Sequence, residues 1–325
     1  MDIESFKVRM EDYREVINRR LTQVVKKKSP ISFYEPVRYV LEGGGKRIRP
    51  ILVILSCKAV GGNEEDCFNA ALAVEILHNF TLVHDDIMDN DDLRRSRETV
   101  HKKWDEATAI LTGDGLVALA YHYLLKTETR QLKKIADIFT KGIIDLCEGQ
   151  ALDKEFENRF DIDFDQYMSM IEKKTARLLM ISSEIGAIIG GGSDKERQRL
   201  RTFSRQLGNA FQIQDDLLDM EITSGKTFGS DIRQKKRTIL LVHAINHADP
   251  KIKNQICNII DQSQITDEDV EKVRDLYEAS GTLKFARQQV DSRINQAHEV
   301  LSQLAPSASR DDLYLLLKWI LERKS

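Results

Sequence analysis

Two stretches of this sequence decide its interpretation, FTLVHDDIMD at residues 80–89 and AFQIQDDLLD at residues 210–219. Each places three aspartates in the pattern Asp-Asp-x-x-Asp within strongly apolar surroundings. On an α-helix, residues four apart lie on one face, so the first and third aspartate project together with the second beside them. Both stretches therefore predict a carboxylate patch at the end of an apolar helix. The six aspartates are Asp85, Asp86, Asp89, Asp215, Asp216 and Asp219.

Carboxylates this close together are costly to bury unless a cation or water compensates their charge. Ligand sets made only of oxygen favour a hard ion such as Mg²⁺, which typically takes one or two carboxylates, several waters and phosphate oxygens. One such motif alone would fit a solvated helix face equally well. Two copies next to apolar segments favour a magnesium site that binds a phosphorylated ligand.

The rest of the chain predicts an all-α fold. Only five prolines occur in 325 residues, which leaves long stretches rich in good helix formers. Apolar residues recur at spacings of three and four, as in Ala71, Val74 and Leu77, rather than alternating as in strands. The breaks rich in glycine and proline are all short, so no linker is evident. We expect a single domain over residues 1–325.

Bulk properties exclude several classes of protein. A net charge of −3 with both signs mixed throughout gives no basic face for nucleic acid. The longest apolar runs, such as residues 51–57, are far shorter than the roughly 20 residues of a membrane span. The acidic N-terminus does not resemble a signal peptide, which predicts a cytoplasmic protein. The four cysteines lack metal-ligand spacing, and we expect them to be small core residues: Cys57, Cys67, Cys147 and Cys257.

A ligand with several negative charges also needs fixed cations. A glycine turn at residues 43–45 leads into Lys46 and Arg49 at a predicted helix start, where free N–H groups favour an anion. His78 lies two helical turns before the first motif and so faces the same side. Taken singly, these residues would fit an ordinary surface, but their positions beside the glycine turns and the aspartates favour a site. The other candidates are Arg94, Arg95, Lys174, Lys226 and Lys236.

In this order, the motifs resemble those of the trans-isoprenyl diphosphate synthases, most of all the archaeal-type geranylgeranyl diphosphate synthases. The resemblance covers nearly the whole chain. The matching motifs are GGKRxRP at residues 44–50, DDxxD with a following arginine pair at 85–95, GQxxD at 149–153, KT at 174–175, FQxxDDxxD at 211–219 and GKxxGxD at 225–231. One departure is Lys235, which occupies a place where the family often has glycine before its next lysine.

The resemblance implies a helical bundle of the isoprenoid synthase type around a deep central cavity, usually in a homodimer. The two aspartate motifs would face each other across the cavity mouth and bind about three Mg²⁺ ions with an allylic diphosphate. Direct metal ligands would be Asp85, Asp89 and Asp215, with Asp86, Asp216 and Asp219 as ligands or supports. The allylic diphosphate would contact Arg94, Lys174, Lys226 and Lys236. Isopentenyl diphosphate would contact Lys46, Arg49, His78 and Arg95, helped by Arg323.

The expected reaction begins when the diphosphate leaves its allylic carbon, because metal and cations stabilise the charge that develops on it. Lys174, the Thr175 hydroxyl and the Gln212 amide oxygen are the predicted catalytic groups; the two oxygens would stabilise the carbocation, which must be shielded from water. The alkene of isopentenyl diphosphate then attacks, and proton loss, by resemblance to the released diphosphate, leaves a product five carbons longer. The preferred primer stays open between dimethylallyl, geranyl and farnesyl diphosphate.

Product length should depend on how deep the growing tail can reach. Phe80 lies five residues before Asp85, about 7.5 Å lower along the helix axis, and its neighbour Thr81 is small. An aromatic residue there resembles the family members that make geranylgeranyl diphosphate (C20). The alternatives are ordinary core packing of Phe80, a C15 or C25 and longer synthase, or a non-catalytic prenyl-binding or regulatory subunit.

Overall fold

The computed structural model describes residues 3–26, 29–221 and 228–321, and this part of the chain is almost entirely helical. The helices are α1 Ile3–Val24, α2 Ile31–Leu41, α3 Ile48–Ala59, α4 Phe68–Met88, α5 Val100–Lys103, α6 Glu106–Leu124, α7 Leu132–Phe156, α8 Phe164–Ile171, α9 Arg177–Ile189, α10 Asp194–Leu218, α11 Ser230–Arg233, α12 Ile239–His247, α13 Pro250–Ile260, α14 Asp267–Ala279, α15 Thr282–Ser302 and α16 Ala308–Leu321. A 3₁₀ turn covers Glu64–Cys67, and a π-helical turn covers Glu172–Ala176. The predicted all-α fold is confirmed.

Local sequence explains where several helices begin. Asp163 caps α8 by accepting a hydrogen bond from Gln166 N–H, and Oε1 of Gln166 accepts one from Asp163 N–H. Thr266 and Asp269 form the same reciprocal box at the start of α14. In contrast, α3 is apolar all round and its residues 50–57 are all buried, so packing rather than capping holds it in place.

A short antiparallel hairpin interrupts the helices between α4 and α5. Its strands are β1, Leu93–Arg94, and β2, Arg97–Glu98. Arg95 and Ser96 join them with φ angles of +54° and +59°, which are the left-handed values of a two-residue type I′ turn. The sequence did not predict this hairpin, because neither residue is a usual one for that turn.

The described residues group into two compact units. Unit 1 contains residues 1–139, 181–200 and 304–315, and its core includes the buried faces of α3 and α4. Unit 2 contains residues 140–180, 201–303 and 316–325. Its core joins apolar residues of α8, α10 and α12 to α15. The single domain expected over residues 1–325 stays a prediction.

The four cysteines do not share one environment. Cys57 and Cys67 are buried, as expected of core residues. Cys257 is half-buried, and Cys147 is exposed on the same face of α7 as Ile144. The prediction was therefore wrong for Cys147, because its neighbours in sequence do not show which face of α7 is covered.

Within the described ranges, none of the helices combines the length and the apolar character that crossing a bilayer requires. The cytoplasmic location stays a prediction.

Candidate active site

In unit 1, the first aspartate motif closes α4. The helix ends at Met88, and Asp89 is its C-cap, so the third aspartate is the first residue beyond the helix. Asn90 follows with φ of +52°, a left-handed conformation that prevents the helix from continuing. Asp85 and Asp86 lie in the last helical turn. The motif therefore spans the helix end instead of lying wholly within the helix.

The second aspartate of this motif, Asp86, is only 5% exposed. It accepts a hydrogen bond of 2.7 Å from Nε of Arg94, and Nη2 of Arg94 also contacts Asp91 at 3.1 Å. Burial raises the pKa of Asp86 to about 6, against the opposing charge of Arg94. Asp86 thus ties the end of α4 to the β1–β2 hairpin.

The hairpin turn places Arg95 against the glycine-rich loop before α3. Its guanidinium donates a hydrogen bond to the carbonyl of Gly44. A Cβ atom on Gly45, which has φ of +123°, would lie 2.9 Å from that guanidinium. Glycine is needed here both for its backbone conformation and for this close approach. Beside the contact lies a hollow of about 400 Å³, including space open to solvent, lined among others by Gly43, Asn79, Asp86, Arg94, Arg95 and Arg97.

Two further predicted residues meet in unit 1. Nη1 of Arg49 lies 3.0 Å from Nε2 of His78. Burial and the charge of Arg49 hold the pKa of His78 well below its usual value, so the imidazole is neutral. Because arginine can only donate, Nε2 of His78 is the acceptor and the ring proton is on Nδ1. Lys46, two residues before the start of α3, is exposed.

Phe80 and Thr81 lie on α4, on the N-terminal side of the first aspartate motif. The Phe80 ring is half-buried and contacts the His84 ring edge-on at 4.7 Å between centroids. His84 in turn packs over Gly113 of α6, where a Cβ would lie only 2.0 Å from its Nε2. The Thr81 hydroxyl donates to the carbonyl of His78 at 2.8 Å. Phe80 therefore belongs to a packed row between α4 and α6.

In unit 2, the second motif closes α10, and its middle residue Asp216 is the centre of a hydrogen-bond network. Asp216 is 4% exposed. One carboxylate oxygen accepts from Tyr167 Oη at 2.7 Å and from Ile239 N–H at 2.9 Å. The other accepts from Nε2 of Gln212 at 3.1 Å. Burial raises the pKa of Asp216 to about 6, although all three donors favour the ionised form.

Asp219, the third aspartate, caps the short helix α11. Its carboxylate accepts hydrogen bonds from Ser230 N–H at 3.0 Å, Ser230 Oγ at 2.6 Å and Asp231 N–H at 3.1 Å. Burial and the nearby charge of Asp219 raise the pKa of Asp231 to about 8. The third aspartate of this motif thus fixes the chain segment that follows it.

Thr175 and Gln212, which the sequence predicted as catalytic groups, lie together. The Thr175 hydroxyl donates to Oε1 of Gln212 at 2.8 Å. Because Nε2 of Gln212 donates to Asp216, the amide is held with its oxygen toward Thr175. Two oxygen atoms therefore lie side by side near the second aspartate motif.

The Lys-Thr motif lies in the π-helical turn Glu172–Ala176, a distortion that occurs frequently at functional sites. Two glycines pack against it, since a Cβ on Gly149 would lie 2.4 Å from Lys174 N and one on Gly208 would lie 2.5 Å from Ala176 Cα. Nζ of Lys174 pairs with Asp153 at 2.5 Å. The sequence marked the GQxxD motif without a role for its residues, and the structure shows that Gly149 and Asp153 position Lys174.

The remaining predicted residues lie after α11 or outside the described ranges. Lys236 N–H donates to the carbonyl of Asp231 at 2.9 Å, which places it beside the second motif. Lys235 has a left-handed φ of +57°, which explains why glycine suits this place. Lys226 and Arg323 lie outside the described residues.

Across the three described ranges, no group of three acidic, histidine or cysteine side chains is arranged to hold a metal ion alone. The donors still suit magnesium. Each motif contributes only carboxylate oxygens, and Mg²⁺ usually binds one or two carboxylates together with waters and substrate phosphates.

Paired aspartate motifs and clustered cations on an all-α scaffold define a class of protein that handles diphosphates. A family model described as polyprenyl synthetase matches residues 31–279. The chain is 38% identical over 301 residues to a geranylgeranyl diphosphate synthase of Methanosarcina mazei, with 91% of each chain covered. It is 35% identical over 334 residues to a geranylfarnesyl diphosphate synthase of Natronomonas pharaonis, with 95% of each covered.

A solved structure gives the same result. The crystal structure of geranylgeranyl pyrophosphate synthetase from Pyrococcus horikoshii superposes with a TM-score of 0.94 at 36% identity, covering 99% of both chains. The chain therefore belongs to the polyprenyl synthetase family, in the class of archaeal-type trans-isoprenyl diphosphate synthases that its motifs predicted.

Proposed function

We propose that this protein condenses isopentenyl diphosphate with an allylic diphosphate and that its main product is geranylgeranyl diphosphate. The observation that carries the proposal is the network in which Asp216 orients Gln212 and Gln212 binds Thr175. It presents two partly negative oxygens beside a metal-binding motif, which is what an allylic cation needs. A protein that only bound prenyl chains would have no use for this arrangement.

The first step breaks the bond between the allylic carbon and the diphosphate oxygen, and the electron pair leaves with the diphosphate. Mg²⁺ bound by the aspartates would supply positive charge that stabilises this leaving group. We propose Asp85, Asp89 and Asp215 as its ligands. Asp216 and Asp219 already bind three protein donors each, and they would position the second motif.

Arg94 and Lys174 are proposed to bind the allylic diphosphate with Lys226 and Lys236. Arg94 is paired with Asp86 and Asp91, and Lys174 with Asp153. These carboxylates restrict the long side chains to one orientation before the substrate arrives, so less side-chain entropy is lost on binding. The cations therefore serve as preorganised anion ligands.

Isopentenyl diphosphate is proposed to bind Lys46, Arg49, His78 and Arg95. Its alkene electrons form the new carbon–carbon bond with the allylic cation, and the proton then passes to the released diphosphate. Thr175 and Gln212 would stabilise the cation until the bond forms, and burial of the reacting carbons would exclude water.

The C20 length rests on Phe80, whose ring lies one and a half turns before Asp85 and packs against His84. The relatives named above include C20 and C25 producers, so family membership alone leaves the product open. Purified protein incubated with Mg²⁺, isopentenyl diphosphate and each of the three primers tests the proposal. We expect geranylgeranyl diphosphate as the main product by mass spectrometry, whereas no diphosphate release with any primer would refute the activity.

We also propose a homodimer formed in part by α6. Leu111 is 60% exposed on this helix, and Ile110 beside it and Leu125 directly after the helix are exposed as well. Exposed apolar side chains on one helix are typical of a contact surface. Light scattering should give twice the chain mass for the wild type and a monomer for Leu111→Asp; a wild-type monomer would contradict the dimer.

A further inference from the structure

Arg47 lies in the middle of the basic segment before α3, yet it does not face solvent. It is 3% exposed, while Lys46 before it is exposed. Its guanidinium donates to three helices at once: to Asn18 Oδ1 on α1 at 2.9 Å, to the carbonyl of Leu41 on α2 at 2.8 Å and to Glu75 Oε1 on α4 at 2.6 Å.

The charge of Arg47 is balanced within the protein. Glu75 is only 2% exposed, and it also accepts from Nδ2 of Asn79 at 3.4 Å. Three of the five N–H groups of Arg47 bind protein acceptors, and a side chain that is buried against a buried carboxylate offers no accessible surface to an anion. Arg47 therefore does not act as a substrate ligand, even though it lies between two residues proposed to be ligands.

The backbone of Arg47 is unusual as well. It is the N-cap of α3 with φ of +53° and ψ of +35°, a left-handed conformation that a residue with a side chain rarely adopts. Such a conformation persists only where the surrounding contacts over-determine it. Here the three hydrogen bonds of the guanidinium supply those contacts.

This left-handed residue sets the direction of its neighbours. Lys46 is the residue immediately before it. Arg49 follows in the first turn of α3, and its Nη1 lies 3.0 Å from Nε2 of His78. The same loop also holds the Gly44 carbonyl that accepts a hydrogen bond from Arg95. A change of the Arg47 φ and ψ angles toward ordinary helical values would therefore displace Lys46, Arg49 and Arg95 relative to one another.

We propose that Arg47 is a positioning residue for isopentenyl diphosphate: its buried pair with Glu75 fixes the left-handed turn that aims Lys46 and Arg49 at the diphosphate. This inference rests on the proposed function of the same residues. It assigns to Arg47 and Glu75 a role in one substrate's binding and none in binding the allylic diphosphate.

Steady-state kinetics with each substrate varied in turn tests the inference. Lysine cannot reproduce the three-way contact of a guanidinium, so Arg47→Lys should raise the KM for isopentenyl diphosphate about tenfold or more. Glu75→Gln should also raise the KM for isopentenyl diphosphate. The KM for the allylic diphosphate should stay within about twofold of the wild-type value, because its ligand Arg94 is held by Asp86 and Asp91, which lie outside this loop.

Two further variants separate positioning from loss of stability. Arg47→Met with Glu75→Met removes the buried charges together, which proteins often tolerate in stability, and it should still raise the KM for isopentenyl diphosphate. Arg9→Lys is the matched control, since Arg9 binds Asp312 through two nitrogens in the same unit, between α1 and α16. This control should lower the melting temperature without changing either KM.

Calorimetric titration of isopentenyl diphosphate gives a second readout that does not depend on turnover. Weaker binding to the Arg47 and Glu75 variants, with unchanged allylic KM, would support the inference. Wild-type affinity in a folded variant, or an equal rise of both KM values, would overturn it. Absence of turnover by the wild-type protein would instead overturn the proposed function, and the inference with it.

Discussion

The two aspartate motifs share one sequence pattern but differ in their hydrogen bonds. In the first, Asp86 accepts from a single side chain, Arg94, which is itself partly exposed. In the second, Asp216 accepts from three donors on three different segments, and Asp219 accepts from three more at the start of α11. The repeated pattern therefore specifies spacing, whereas the role of each carboxylate depends on the chain around it.

One feature is common to both motifs. The second aspartate is the buried one in each, at 5% for Asp86 and 4% for Asp216, and burial raises the pKa of both to about 6. A buried carboxylate that anchors protein donors is poorly placed to bind a metal as well. This favours a supporting role for the second position, and Asp85, Asp89 and Asp215 stay the predicted direct metal ligands.

The largest effect is expected for the first aspartates. Asp85→Ala or Asp215→Ala should lower kcat by about a thousandfold or more, since each removes charge stabilisation at the leaving group. Helix content by circular dichroism should be unchanged. Diphosphate release in the presence of Mg²⁺ measures the effect, and near-normal turnover by either variant would remove the metal role from that position.

The second aspartates should differ from each other in stability. Asp216→Ala leaves two buried donors and one half-buried donor without an acceptor and should cost about 3 kcal/mol, whereas Asp86→Ala releases one partly exposed arginine and should cost about 1 kcal/mol. Urea unfolding without metal measures both. Equal losses would mean that the two positions are equivalent after all.

Residues five positions before each motif extend the comparison. Phe80 is half-buried against His84, whereas Ala210 at the matching place is fully buried. Phe80→Ala should therefore deepen the space available to the prenyl tail and lengthen the product by at least one five-carbon unit. Chromatography of radiolabelled products shows the shift, with Phe6→Leu, a buried aromatic on α1, as control. An unchanged distribution of C20 product would mean that Phe80 does not limit the length of the prenyl tail.

The smallest effect concerns the loop after the second motif. Lys235 holds a left-handed φ of +57°, so Lys235→Gly should relieve strain and stabilise the protein by a few tenths to about 1 kcal/mol. Gln234→Gly is the matched control, because Gln234 has an ordinary φ of −81° and should lose stability on the same substitution. Thermal unfolding of both variants measures the difference. A lower melting temperature for Lys235→Gly would contradict the prediction.

Much of the fold followed from local pattern. Apolar spacing predicted the helices, and breaks rich in glycine fall where the structure has connections, such as residues 61–63 and 190–193. The hairpin at residues 93–98 was missed because Arg95 and Ser96 do not signal a turn with two positive φ angles. Its conformation depends on Arg94 and Arg95 binding Asp86 and Gly44, which lie elsewhere in the chain.

By itself, the sequence determined the helical class, the family and the residues that carry charge, because these depend on residue type and spacing along the chain. The tertiary structure alone decided which charges are committed to the protein. Arg47 and Arg49 are two residues apart, yet one is buried against Glu75 and the other contacts His78. That division arises from burial and from partners far away in sequence, which set the desolvation of each group and the hydrogen bonds it can make.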